Sequence, residues 1–446
     1  MTLPNPGDKV KVITKDGVVE GTEKSKISGT SNKVFEGILM PNEESDAIVI
    51  KLDSGYNVGF DKKNVKKVEL VKKYSEKEEN KEKKLAAGNN LPKISILHTG
   101  GTIASKVNYE TGGVIAKFHP AELVEMFPEL KKIANFDSRL IEQMFSEDMR
   151  FTHYQKIGKE IKKEVEKGVA GIIITHGTDT MAYSAAALAF ILENVNIPIL
   201  LVGAQRSSDR GSSDAAMNLI CAAEFITKSD FAGVAICMHE NTEDNNSIIL
   251  PACKTRKMHT SRRDAFRPIN DTPIARINYD TRKIEFIRTD YTKKSEKKLN
   301  YKDGFADKVG IIKCHPNMFK EEFDFFKGYD GLIIEGTGLG HAPVDPPHML
   351  NIHILESIEK LIKSGTVVAM TSQCLFGRVH NHVYTAAINL SKAGVVYCED
   401  MLPETAFIKL AWLLGNYKDK EQVKELMPVN LRGEINPRIQ VDEFLD

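Results

Sequence analysis

Short apolar runs that end in glycine and threonine recur along the middle of this chain, and they set the reading of its fold. The first run is Lys93-Ile94-Ser95-Ile96-Leu97-His98, closing on Thr99-Gly100-Gly101-Thr102. The second is Gly171-Ile172-Ile173-Ile174-Thr175, closing on His176-Gly177-Thr178-Asp179-Thr180. Continuous runs of this kind predict strands buried on both faces, as parallel sheets require. Further strands are predicted at residues 199–202 and 234–237, and helices at 153–167, 181–193 and 213–226. This alternation predicts a three-layer α/β domain with a parallel sheet over residues 93–295. It restarts at 308–313 and continues through 331–336 and 366–371, predicting a second, smaller α/β lobe over 296–446.

Residues 1–71 follow another rhythm. Four short β-like runs (9–13, 35–40, 47–52 and 56–60), with Asp16-Gly17 and Ser54-Gly55 as hairpin turns, predict a small SH3-like or Sm-like β-barrel. Between 72 and 92 the chain reads Lys72-Lys73-Tyr74-Ser75-Glu76-Lys77-Glu78-Glu79-Asn80-Lys81-Glu82-Lys83-Lys84. Mixed charge with almost nothing apolar cannot bury a face, so this stretch is expected to be a solvated linker or an exposed helix.

Composition narrows the function classes. Lysine plus arginine and aspartate plus glutamate both number 61, so the net charge is zero and no whole-protein electrostatic case for nucleic-acid binding exists. The chain opens Met1-Thr2-Leu3-Pro4-Asn5-Pro6-Gly7 with no apolar leader, and its most apolar helical stretch, 181–192, is too short to span a bilayer. A cytoplasmic protein without a membrane partner is expected. The six cysteines (Cys221, Cys237, Cys253, Cys314, Cys374 and Cys398) are scattered without a C-x-x-C pair, as reduced thiols would be. His380-Asn381-His382 and Cys314-His315 have the wrong spacing for a closed zinc site, so no metal is expected. Gly336-Thr337-Gly338-Leu339-Gly340 lacks the Lys-Ser/Thr of a P-loop and is read as a tight turn at the lobe interface.

The two glycine–threonine loops carry the candidate chemistry. Small residues at strand ends let backbone N–H groups approach a ligand, and the threonines present hydroxyls there. One such loop alone would be read as a turn with a helix cap. Both together point to a site.

Thr99-Gly100-Gly101-Thr102-Ile103-Ala104 with His176-Gly177-Thr178-Asp179-Thr180 resembles the paired signature of the L-asparaginase/glutaminase family. Lys254-Thr255 resembles that family's catalytic-lysine segment, and Phe145-Ser146-Glu147-Asp148-Met149 its substrate-carboxylate loop. Gly203-Ala204-Gln205-Arg206 falls where the family has a similar sequence after its third strand. The resemblance covers residues 93–446 and implies a two-lobed asparaginase-like fold that hydrolyses an amide. The N-terminal β-domain, the charged linker and the run from Gly203 to Asp214 resemble one branch, the GatD subunits of archaeal glutamyl-tRNA(Gln) amidotransferases. That branch implies ammonia release from glutamine or asparagine for a GatE-like partner subunit, which binds the tRNA and uses ATP and Mg. It also implies a homodimer within a heterotetramer, with no cofactor bound by this chain. A stand-alone L-asparaginase/glutaminase remains the alternative, and it leaves the N-terminal domain unexplained.

Amide hydrolysis needs a nucleophile, a proton route and donors for an oxyanion. Thr102 is the expected nucleophile, with Tyr109, on a loop ending in Gly112-Gly113, as its candidate partner. Thr178, Asp179 and Lys254 are expected to form a second polar triad, and which threonine attacks stays open. Asp179 is a candidate for the substrate α-ammonium. Ser146, Glu147 and the backbone at Gly101 and Gly177 are the remaining substrate-binding candidates.

Overall fold

The computed structural model describes residues 3–15, 33–41, 46–52, 57–73, 90–101, 103, 106–107, 114–115, 127–206, 213–346, 348–441 and 444. Near the N-terminus, five antiparallel strands form one sheet: β1 (Lys9–Thr14), β2 (Val34–Leu39), β3 (Ala47–Leu52), β4 (Asn57–Asp61) and β5 (Val65–Lys72), in the order β4-β3-β2-β1-β5. A meander whose last strand returns to pair with the first fits the small β-barrel topology expected here. Val10, Val12, Leu39, Ile48, Ile50, Phe60 and Val65 fill its core. The expected turns at Asp16-Gly17 and Ser54-Gly55, and linker residues 74–89, lie outside the described residues.

Eight strands make the central sheet. Five run parallel: β6 (Lys93–Gly100), β7 (Asn135–Met144), β8 (Gly171–Thr175), β9 (Pro198–Val202) and β10 (Gly233–His239). Three more, β11 (Asn246–Pro251), β12 (Ala275–Asn278) and β13 (Ile284–Phe286), extend the sheet antiparallel, giving the order β13-β12-β11-β10-β9-β8-β6-β7. The sheet is therefore mixed rather than wholly parallel. Its interior strands β8 and β9 are buried at every residue, matching their unbroken apolar runs.

Helices α1 (Phe151–Glu166), α2 (Met181–Ile191) and α3 (Ala215–Lys228) connect these strands. Helix α2 is apolar around its circumference because it is covered on both sides, by the sheet and by a helix of the second lobe.

That second lobe carries a parallel four-stranded sheet, β14 (Val309–Lys313), β15 (Gly331–Gly336), β16 (Val367–Ser372) and β17 (Val396–Tyr397). Its helix α4 (Pro403–Asn416) lies on α2, where Trp412 stacks on Phe190 with ring centroids 5.4 Å apart. Stacking of this kind adds ~0.5–1.5 kcal/mol beyond the area buried. Met181, Leu188 and Phe190 thereby share one apolar cluster with Ile333, Ala369 and Trp412.

The glycine run after β15 is a tight turn, with Thr337 N–H donating to the His341 carbonyl at 2.9 Å. A side chain at Gly340 would meet Met370, Tyr397 and Val379, so the turn packs inside the second lobe and not at the lobe interface. Among the described residues no helix is long and apolar enough to cross a membrane. No group of three or more His, Cys, Asp or Glu among them is placed to hold a metal.

Candidate active site

Three strand ends and one turn converge on a single point. At the end of β6, Gly101 holds φ +76°, and an added Cβ would collide with the Gly177 nitrogen. Gly177, after β8, would in turn place a Cβ 2.7 Å from both Cβ and Oγ of Ser146. Gly203, after β9, would place one 2.9 Å from Cγ2 of Thr178. Three glycines thus allow three backbones and one serine to touch. The two glycine–threonine loops are physically one site.

Polar contacts fix these loops. Ser146 is 4% exposed, and its carbonyl accepts a 2.6 Å hydrogen bond from the Thr180 hydroxyl. The Asp214 carboxylate accepts the N–H groups of Gln205 at 3.0 Å and Arg206 at 3.1 Å, which anchors the loop after β9. Asn218 ties in the Gly203 carbonyl at 3.1 Å.

His176 is fully buried between the Gly177 carbonyl, 2.6 Å from Nδ1, and the Ser184 hydroxyl, 2.8 Å from Nε2. Burial pushes its imidazole down to about 4, so the ring is neutral at pH 7. A carbonyl only accepts, so Nδ1 carries the proton and Nε2 takes the Ser184 hydroxyl. His98, bridging Thr175 and Ser138, is pushed down to about 4 for the same reason.

Thr178 and Asp179 sit just before the N-terminus of α2. Both are met by the amine of Lys257, which donates to Thr178 Oγ1 at 2.9 Å and to Asp179 Oδ1 at 2.7 Å. The Lys257 side chain is 13% exposed and that of Asp179 66%, so the amine spans from the protein interior to open solvent.

The lysine expected in this triad was Lys254, and the structure corrects it. Lys254 is completely buried, and its Nζ is held by the Asp400 carboxylate at 2.5 Å and the Asp400 carbonyl at 3.1 Å. It precedes the short strand Thr255–Lys257, which pairs with Phe266–Pro268. Along a strand side chains alternate, so Lys257 and Arg256 point apart. Lys257 reaches Thr178, while Arg256 reaches Glu404 at 3.0 Å. Sequence reasoning missed Lys257, although it lies in the same basic stretch Lys254-Thr255-Arg256-Lys257.

The other expected residues divide. Ser146, Gly177 and Gly101 are at the site with Thr178 and Asp179, whereas Glu147 is exposed on the turn Ser146–Asp148. Thr102 and Tyr109 lie outside the described residues.

The arrangement can lower the cost of removing a proton from the Thr178 hydroxyl, since a hydroxyl is a weak nucleophile until a neighbour accepts or offsets its proton. Buried backbone at the Gly177 and Gly101 loops lies beside it.

Comparison with known proteins identifies the family and the fold. Residues 93–291 match the family "Asparaginase, N-terminal" and residues 308–427 the family "Glutaminase/Asparaginase C-terminal domain". Residues 24–71 match "GatD N-terminal domain". The GatD subunit of the glutamyl-tRNA(Gln) amidotransferase of Pyrococcus furiosus is 47% identical over 445 residues, covering 98% of this chain and 97% of that one. Its counterpart in Thermococcus kodakarensis is 45% identical, covering 98% and 96%. Among solved structures, the thermostable L-asparaginase from Thermococcus kodakarensis superposes with a TM-score of 0.69 at 27% identity, over 78% of this chain and all 100% of that one. L-asparaginase I from Vibrio cholerae gives 0.66 at 27% identity, covering 78% and 99%. With an asparaginase fold in two lobes, an N-terminal domain of the GatD type, and 47% identity to such a subunit over nearly its full length, this chain belongs to the GatD family of glutamyl-tRNA(Gln) amidotransferase subunits.

Proposed function

We propose that this chain hydrolyses the side-chain amide of glutamine or asparagine and supplies the ammonia to a partner subunit. One observation carries the reading: Lys257 bridges Thr178 and Asp179 where the glycine loops meet. A threonine oxygen attacks the amide carbon, forming a C–O bond as the C–N bond breaks. The proton from the hydroxyl leaves with the nitrogen as ammonia, and water then cleaves the ester to release the free acid.

Thr178, with Lys257 and Asp179, is one candidate for the attacking group. Thr102, which directly follows Gly101, is the other, with Tyr109 as its partner. Ser146 and backbone N–H groups near Gly177 hold the α-carboxylate, with the Gly101 backbone beside them, and Asp179 holds the α-ammonium. In this reading a GatE-like subunit binds the tRNA, uses ATP and Mg, and converts Glu-tRNA(Gln) to Gln-tRNA(Gln) with the ammonia. This chain forms a homodimer within a cytoplasmic heterotetramer. Residues 1–71 are its β-domain, 72–92 the linker, and 93–295 and 296–446 the two lobes.

The test is ammonia release from glutamine and from asparagine, by the purified chain alone and with a candidate partner plus Glu-tRNA(Gln). Thr102→Val and Thr178→Val should each abolish release without loss of fold. Full activity in both variants overturns the hydroxyl mechanism. Strong asparaginase activity indifferent to the partner overturns the amidotransferase role in favour of a stand-alone enzyme.

A further inference from the structure

Lys257 is held at Thr178 by a frame that comes from the other lobe. The turn at residues 251–254, which delivers the strand Thr255–Lys257, is gripped by the segment opening α4. Asp400 takes the Lys254 amine at 2.5 Å, Thr405 Oγ1 donates to the Cys253 carbonyl at 2.9 Å, and Glu404 pairs with Arg256 at 3.0 Å. Asp400 is itself fixed, since the Asn436 N–H donates to its Oδ1 at 3.0 Å and Arg378 lies 3.8 Å away.

The same helix α4 packs on α2, the helix that follows Thr178 and Asp179. Phe407 meets Tyr183 edge-on at 6.4 Å, in addition to the Trp412 stack. Thr178 and Lys257 therefore stand on separate elements of the first lobe and are both referenced to one helix of the second. Lys254 and Asp400 are both 0% exposed. A buried pair of this kind is a weak source of net stability, because desolvation opposes the attraction, so what it delivers is geometry.

We infer that Lys254 and Asp400 form a positioning couple that sets the approach of the Lys257 amine to the Thr178 hydroxyl, so that the second lobe tunes a reacting group of the first. The inference rests on Thr178 and Lys257 acting in the reaction, as proposed above.

The experiment compares Lys254→Met, Asp400→Asn and the double variant with wild type in ammonia release from glutamine, with chemical denaturation in parallel. Each single variant leaves a buried group without its partner and should lower the denaturation midpoint. The double variant removes both charges, while Asn at 400 keeps an acceptor for the Asn436 N–H, and its midpoint should recover. Its kcat should nonetheless stay at least tenfold below wild type with KM within twofold, and its pH–kcat profile should shift.

A double variant with recovered midpoint, wild-type kcat and unchanged profile overturns the inference. So does a kcat loss matching the unfolded fraction, or a double variant that does not fold, since the pair would then serve stability alone. Lys257→Met, assayed alongside, separates the two readings. If it is inactive while the double variant is fully active, only the positioning role fails. If it keeps the wild-type rate, the site reading fails and the inference falls with it.

Discussion

Replacing Lys257 by methionine removes the amine and keeps most of the side chain's length, and its effects on rate and on stability should separate cleanly. The amine lies 2.9 Å from Thr178 Oγ1, within reach for direct proton transfer or for stabilising an alkoxide. General acid–base groups contribute about 10²–10⁴ in rate. At about 1.36 kcal/mol per decade this is ~3–5 kcal/mol of barrier. The stability cost should be small, because its ion-pair partner Asp179 is 66% exposed, and pairs open to solvent are worth ~0–1 kcal/mol. Lys254→Met should differ in losing stability as well as rate, since breaking its buried pair with Asp400 costs about 3–5 kcal/mol of folding free energy. The assay is ammonia release across a range of glutamine concentrations, paired with urea denaturation of both variants. A Lys257→Met enzyme within twofold of wild type, or one whose lost rate is matched by lost folded protein, would refute the reasoning.

Three further outcomes are expected. His98 and His176 have folded values of about 4 against an ordinary 6.5, so the unfolded chain binds more protons between these limits. Their stabilisation is fully present above pH 6.5 and lost as pH falls towards 4, about 2 kcal/mol each between pH 7 and pH 5; denaturation midpoints at the two pH values check this, and equal midpoints would contradict it. Gly177→Ala puts a Cβ 2.7 Å from Ser146 and displaces the loop, so kcat/KM should fall about 10²-fold; a near-normal value would show that the close approach is dispensable. Of the six cysteines only Cys374 is exposed, and titration of the native protein with a thiol reagent should consume one equivalent rapidly. Rapid reaction of a second would place another thiol at the surface.

Much of the fold was legible because its interior strands are apolar at every position. The runs closing on Gly100 and on His176 could hardly be anything else. Strands at the margins were not. β7 reads Asn135-Phe136-Asp137-Ser138-Arg139-Leu140-Ile141-Glu142-Gln143-Met144, polar at half its positions or more because it lies at the sheet edge with solvent beside it. β5 was hidden by its lysines for the same reason.

At the site, the loops were visible because glycine marks the close approaches, which are properties of the backbone. The lysine was not. Lys254 and Lys257 occupy one short basic stretch, and which of them reaches Thr178 depends on where a turn ends and the strand's alternation begins. That register is set by the Pro251 turn and by pairing with Phe266–Pro268, neither of which a local reading can weigh.

The apolar cluster shared between α2 and α4 has a consequence for how this protein can be taken apart. Because Met181, Leu188 and Phe190 are covered by residues such as Trp412 from more than two hundred positions away, the lobes are not modules. The chain should melt in one transition across both lobes, and a fragment ending near residue 295 should expose the flank of α2 and associate through it. Evolution can append a β-domain at the N-terminus of this scaffold, but it must vary the two lobes together.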